Sequence, residues 1–458
     1  MERENIWNKY TKKQLQECEK LCKDYRHFLD VGKTERECVT ESVRLAEKAG
    51  YRNFIDIIEN GERLKAGDKI YAVNMKKAII LFHIGTNPIE HGMHILGAHI
   101  DSPRIDIKQN PLYESNELAY LDTHYYGGIK KYQWVTIPLA IHGVLAFKDG
   151  TVKDVVIGEE DDDPVFCITD LLIHLSQEQL EKKAAKVIEG EALNILIGNK
   201  PLKGEEKDAV KANIIKLLKE KYGMDEEDFL SAELEVVPAG KARECGLDKS
   251  MIMAYGQDDR VCAYTSLAAM FSQKNVETTC CCILVDKEEV GSVGATGMQS
   301  HFFENMVAEL LNSLGCYSDI TLKRTLARSW MLSSDVSAAF DPAFESSFEK
   351  KNAAYLAKGM VFNKFTGSRG KSGSNDANAE YFAKLRQIMD DEKVAFQTAE
   401  LGKVDLGGGG TIAYILSLYG MEVIDCGVAV LNMHAPWEIV SKADVYETMR
   451  GYQAFINR

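Results

Sequence analysis

The sequence predicts an α/β sandwich on a largely parallel core sheet, with a second domain inserted into it. Three observations point there. Beyond residue 250 strand-like and helix-like runs alternate, as they do where crossover helices join parallel strands. Carboxylate- and histidine-bearing clusters stand where apolar runs end, and open α/β sheets bind ligands beyond the carboxyl ends of their strands. Between residues 107 and 247 the pattern changes and no such cluster occurs, which marks the insertion. The expected division is 1–106 and 248–458 for the clustered part and 107–247 for the inserted one.

Composition supports two folded domains. The chain has 458 residues, 45% of them hydrophobic and 27% charged, with 9 prolines, which suits large cores and argues against long disordered tracts. A net charge of −14 repels nucleic-acid phosphates and anionic membrane surfaces, so neither is an expected partner. The charged start, Met1-Glu2-Arg3-Glu4-Asn5, is followed by no apolar core of a secretory signal. No apolar run approaches the roughly 20 residues of a membrane span. Eleven cysteines lack paired zinc-knuckle spacing, and Cys280, Cys281 and Cys282 read as part of a buried strand. Cys18 and Cys22, one helical turn apart, read as packing residues. The expected compartment is a reducing cytoplasm.

Residues 1–60 look helical, and Thr34 with Glu37 makes a capping-box pattern before an amphipathic run that ends at Gly50. Two β-rich runs, 69–73 and 78–83, suggest a hairpin, and 93–100 a buried strand. In the inserted part, 133–147 and 151–157 read as strands across a Lys148-Asp149-Gly150 turn. There, 170–187 and 205–222 have helical periodicity, and 232–237 returns to β. Strands are then expected at 251–255, 278–285, 330–333 and 423–431. Helices are expected at 261–272, 301–314, 378–389, 411–418 and 441–455, with Ser441 and Asp444 resembling a capping pair.

The clusters carry the chemistry. His99 ends one apolar run, and Asp101, two residues on in extended chain, points the same way. Imidazole binds zinc well, and a carboxylate on the far ring nitrogen would fix its tautomer. Asp258 and Asp259 open a helix, where they could cap it or where Asp258 could bridge two ions. Glu288 and Glu289 stand on a tight turn before Val290-Gly291-Ser292, so one could bind metal while the other serves as base. Asp335 follows the apolar run 330–334, and an unpaired acid is costly to bury there. His434 follows 428–433 and precedes Ala435-Pro436. Each feature has a bland reading as cap, loop or core. One site explains them together: a pair of zinc ions roughly 3.5–4 Å apart. The run Gly407–Gly410 precedes a predicted helix start; no Lys-Ser/Thr follows, so it is no phosphate loop. It serves tight packing, an anion, or close approach by substrate.

Taken in order, Gly97-Ala98-His99-Ile100-Asp101-Ser102-Pro103-Arg104, Gln257-Asp258-Asp259-Arg260, Asp286-Lys287-Glu288-Glu289-Val290-Gly291-Ser292, Ser333-Ser334-Asp335-Val336 and Asn432-Met433-His434-Ala435 resemble the aspartyl aminopeptidase family, which includes vacuolar aminopeptidase I. The resemblance implies a three-layer α/β/α zinc-peptidase domain carrying two zinc ions, with cobalt or manganese as substitutes, and an inserted β-rich dimerisation domain. It implies that Asp258, Glu289 and His434 hold one ion and His99, Asp258 and Asp335 the other, with Glu288 as general base and Asp101 orienting His99. His174, in Leu171-Leu172-Ile173-His174-Leu175, matches a family histidine that reaches a neighbouring subunit's site; on local pattern alone it is a helix-face residue. The family assembles as dimers packed into dodecamers. Tyr125–Lys130 matches the family only loosely and 358–375 aligns ambiguously, so side-chain specificity does not carry over.

The expected function is a metalloaminopeptidase that removes N-terminal residues from peptides through a metal-activated bridging water. Its rivals are a dinuclear deacylase or carboxypeptidase on a related scaffold and a non-catalytic, zinc-stabilised assembly protein.

Overall fold

The computed structural model describes residues 4–368 and 372–458; Met1–Arg3 of the charged start and residues 369–371 of the ambiguous stretch lie outside the described residues. The fold is mixed α/β, with three sheets and many helices, in two compact units. One unit comprises 1–101, 242–433 and 438–458; the other comprises 102–241 and 434–437. No described helix is long and apolar enough to cross a membrane.

The first unit is built on a nine-stranded sheet. Its middle is parallel: Cys280–Val285, His94–His99, Trp330–Ser334 and Glu422–Gly427 lie side by side with their carboxyl ends aligned. Lys69–Asn74 and Ala78–His83 form the expected antiparallel hairpin, and Ala78–His83 pairs with Cys280–Val285. Strand residues alternate between two apolar clusters. Cys280, Cys282, Leu284, Leu96 and Ala98 enter one; Cys281, Ile283, Val285 and Ile95 enter the other. Helices Lys12–Val31, Glu35–Lys48, Gln257–Phe271 and Lys442–Ile456 supply the first cluster, and Phe302–Ser313 and Asp319–Ala327 the second. The three consecutive cysteines are therefore a strand buried on both faces, as their pattern predicts. A five-stranded sheet containing Met251–Ala254, Glu438–Ser441 and Ala429–Leu431 completes this unit.

The second unit holds a six-stranded antiparallel sheet in the order Val152–Ile157, Leu139–Ala146, Ala232–Pro238, Arg104–Ser115, Leu118–Tyr126, Ile195–Gly198. The helix Ala209–Tyr222 lies within its expected span.

Local signals fared unevenly. Thr34 and Glu37 form the predicted capping box. Ser441 makes no side-chain cap; Asp444 instead accepts the amides of Ala357 and Gly359, each at 2.7 Å, which ties the last helix to a loop far away in sequence. The helix expected over 170–187 breaks into the short turns Ile173–Leu175, Gln177–Leu180 and Ala184–Val187, because its apolar side chains find no core: Leu171, Leu172, Ile173, Leu175 and Leu180 are all exposed.

Candidate metal and catalytic site

Strand polarity assembles the site. His99 is the last residue of its strand, Glu288 and Glu289 lie just beyond Cys280–Val285, and Asp335 immediately follows Trp330–Ser334. These three strands are neighbours in the order Cys280–Val285, His94–His99, Trp330–Ser334, so their polar termini converge. Asp258 comes from the start of Gln257–Phe271, where Asp258 and Asp259 do not adopt helical backbone and the peptide between them is cis. Arg260, buried behind them, donates to the carbonyls of Ile100 at 3.1 Å and Lys33 at 2.9 Å, which pins this corner to the end of the His99 strand.

The donor atoms of His99, Glu288 and Glu289 fall within 4.8 Å of one another, as do those of His99, Asp258 and Asp335. His99 Nδ1–H donates to the Asp101 carbonyl oxygen at 3.0 Å, with the Asp101 carboxylate 3.4 Å away. That turns Nε2 toward the acids, 3.3 Å from Asp258 Oδ1 and 3.9 Å from Glu288 Oε2. Asp101 does more than the sequence pattern foretold: its two carboxylate oxygens accept the amides of Glu288 and Glu289, each at 3.2 Å. One buried residue thus contacts the imidazole through its backbone carbonyl and the glutamate turn through its carboxylate. Asp286 shapes the same loop by accepting from the Lys287 amide, the Lys287 ammonium and the Thr296 hydroxyl.

Burial opposes a charge on His99, but the carboxylates of Asp101 and Asp258 outweigh it, and its pKa lies well above the usual imidazole range. Burial raises the Asp335 carboxyl well above the carboxylate range, and the charges of Asp259 and Asp258 raise it further. Asp259, fully buried, is raised chiefly by burial, with Asp258 adding to it and His99 opposing. Carboxylates this crowded around one imidazole need positive charge to remain ionised. A hard-oxygen and imidazole donor set of this kind suits divalent zinc, cobalt or manganese.

Two predicted residues lie in the second unit. His434 is half-buried, stands in left-handed backbone at φ +66°, and its Nδ1–H donates to the Gly128 carbonyl at 2.8 Å. His174 is exposed on a short 3₁₀ turn, not on a helix face. The sequence reading missed Glu438. Fully buried in a four-residue strand, it accepts the Asp258 amide at 3.0 Å on Oε2. An acid placed inside an apolar strand pattern only four residues past His434 was the available signal. The run Gly407–Gly410 leads into the short helix Ala413–Ser417, and Gly407 is in backbone contact: a Cβ there would lie 1.7 Å from the Leu401 carbonyl oxygen.

A family model described as aminopeptidase I zinc metalloprotease (M18) matches residues 28–456. A probable M18 family aminopeptidase 1 of Clostridium acetobutylicum is 65% identical over 457 residues, spanning 100% of this chain and 98% of the relative. Among solved structures, an M18 family aminopeptidase from Thermotoga maritima superposes with a TM-score of 0.95 at 44% identity, covering 100% of this chain and 99% of that one. Aminopeptidase I from Clostridium acetobutylicum superposes with a TM-score of 0.93 at 64% identity and complete coverage of both chains.

Proposed function

The chain belongs to the M18 family of aminopeptidase I zinc metalloproteases and is a metalloaminopeptidase, and from that premise we propose how its own residues carry the hydrolysis. The observation that carries the proposal is the convergence of His99, Asp258, Glu288, Glu289 and Asp335 at the aligned ends of neighbouring strands. His99, Asp258 and Asp335 hold one ion; Asp258, Glu289 and His434 hold the other. The tether supports His434: it lies between Ala429–Leu431 and Glu438–Ser441, and the side chain of Glu438 reaches the Asp258 amide. Both histidines donate Nδ1–H to a carbonyl, which leaves Nε2 as the ligand atom. Two zinc ions, or cobalt or manganese in their place, would supply Lewis acidity and lower the pKa of water when bound.

Glu288 takes a proton from the attacking water and returns it to the leaving amine of the peptide. Asp101 holds Glu288 in place through its backbone amide and holds the His99 ring through Nδ1. An acidic side chain of the cluster receives the free α-ammonium of the substrate and so restricts cleavage to the first residue. His174 of a neighbouring subunit stabilises the oxyanion. The nine-stranded sheet between two apolar clusters supports a three-layer α/β/α catalytic domain. The six-stranded antiparallel sheet supports a β-rich dimerisation domain over 107–247, and the exposed Leu171, Leu172, Ile173 and Leu175 around His174 support burial against a second copy. We extend this to a homo-oligomer, a dodecamer built from dimers, acting on peptides in the cytoplasm, where eleven free cysteines are at home.

The test is a rate comparison across Asp, Glu and Leu amides, free and N-terminally blocked, with zinc, cobalt or manganese. Free amides should turn over and blocked ones should be inert; cleavage of blocked substrates would overturn the aminopeptidase mechanism. His174→Ala should keep its metal and its oligomer while kcat falls; an unchanged kcat would remove His174 from the reaction.

A further inference from the structure

One more buried carboxylate stands at the same edge of the core sheet, and the reaction above does not use it. Asp425, 1% exposed, lies opposite Ser333 in register and is surrounded by neutral donors. Thr411 Oγ1 donates to Oδ1, while Asn375 Nδ2 at 3.3 Å and Thr366 Oγ1 at 3.4 Å donate to Oδ2. Burial raises its carboxyl to about 6, and the three donors pull it back down.

These donors come from two separate segments. Thr411 directly follows the glycine run. Thr366 and Asn375 are opposite arms of a hairpin in which Phe365 bridges Asp376 and the Thr366 amide donates to the Asn375 carbonyl at 3.1 Å. Hairpin and glycine run meet backbone to backbone: Gly367 N–H donates to the Gly409 carbonyl at 2.9 Å, and a Cβ on Gly373 would come within 3.3 Å of Gly410 Cα. Among the described residues, added Cβ atoms on Gly409 and Gly410 would meet nothing within 4 Å, so these two glycines, unlike Gly407, present uncovered backbone, with the half-exposed Phe365 on the adjoining arm. The assembly also reaches the glutamate turn, because Gln299 Nε2 donates to the Gly291 carbonyl at 3.1 Å and to the Tyr414 hydroxyl at 3.0 Å.

We propose that Asp425 is a positioning residue: by holding the hairpin arms and the glycine run together beside the Glu288–Val290 turn, it sets how tightly the N-terminal side chain of a peptide is held. This rests on the aminopeptidase mechanism above. Asp425→Asn keeps the volume and one acceptor oxygen but loses the charge. In the metal-loaded enzyme it should raise KM for free leucine amide by about tenfold, the equivalent of one charge-assisted hydrogen bond, while bound metal stays at the wild-type content and kcat moves far less. Alanine amide, with little side chain to hold, should lose less. Thr366→Val, which removes one half-buried hydroxyl from the hairpin, should shift KM in the same direction by less, and it carries the test if Asp425→Asn fails to fold. Wild-type KM in the variants, equal losses for alanine and leucine amides, or a defect confined to kcat or metal content would each overturn the proposal. A wild-type enzyme inert toward free amides would instead overturn the aminopeptidase mechanism and leave the anchor to be judged by its own variants, through the thermal shift that Asp425→Asn and Thr366→Val should share.

Discussion

The strand His94–His99 begins and ends with a buried histidine, and its two ends have opposite chemistry. His94 lies between aromatic rings, with centroids 5.6 Å from Trp330 and 5.0 Å from Phe455, and burial lowers its pKa to about 4. His83, paired with Cys280 at the same end of the sheet, is also lowered to about 4 by burial. His99, one strand length away, faces Asp101, Asp258 and Glu288 and is held well above the ordinary range. Residue type and burial are shared. The difference is which end of a parallel sheet the ring occupies: at the carboxyl end the chain leaves the sheet in loops free to bring charged groups together, whereas at the amino end apolar packing closes over the ring.

The largest effect should come from the carboxyl end. Glu288→Gln removes the proposed proton acceptor while keeping the side chain's size and its backbone hydrogen bond to Asp101. Turnover should fall about a thousandfold, within the range for loss of a general base, with bound metal unchanged by elemental analysis. Wild-type turnover in a metal-replete Glu288→Gln protein would assign the base elsewhere.

Asp101→Asn sharpens the contrast further, because the two contacts of Asp101 with His99 can be separated. The backbone carbonyl at 3.0 Å survives the substitution; the carboxylate, which also accepts two glutamate amides, does not. If the carboxylate orients the site, metal affinity should fall roughly 10–100-fold in competition with a chromophoric chelator. Unchanged affinity would show that the carbonyl alone positions the ring.

Much of this site is legible along the chain, and the reason is topological. His99, Glu288 and Asp335 each follow an apolar run, so strand ends are visible from local sequence, and the rule for open α/β sheets turns strand ends into a site. Thr34 with Glu37 and the 69–83 hairpin were readable because their partners are only a few residues apart. What escaped depends on partners distant in sequence. Asp444 was read as a cap, yet it serves a loop more than 80 positions away. Glu438 matters through the Asp258 amide, and Asp425 through three donors on two loops. The 170–187 run had helical periodicity, but a period alone does not supply a surface to bury against.

The smallest effect on activity, and the clearest on stability, is expected at the amino end. His94→Phe retains an aromatic ring of similar volume between Trp330 and Phe455; it gives up the ring's hydrogen bond to the Ile456 backbone, while Nδ1 has no hydrogen-bond partner among the described residues to lose. kcat/KM should therefore stay at the wild-type value. Stability should respond to pH in a defined direction. The folded protein keeps His94 neutral down to about pH 4, while the unfolded chain takes up a proton near pH 6.5. The contribution of His94 is then fully present above pH 6.5 and is lost as pH falls through 4. It amounts to roughly 3 kcal/mol at most. Thermal melts from pH 7 down to pH 4 should show the wild type losing more stability than His94→Phe, with the difference confined to that window. Parallel pH profiles would mean that His94 is not held neutral by its apolar surroundings, and the contrast between the two ends of the strand would lose its electrostatic basis.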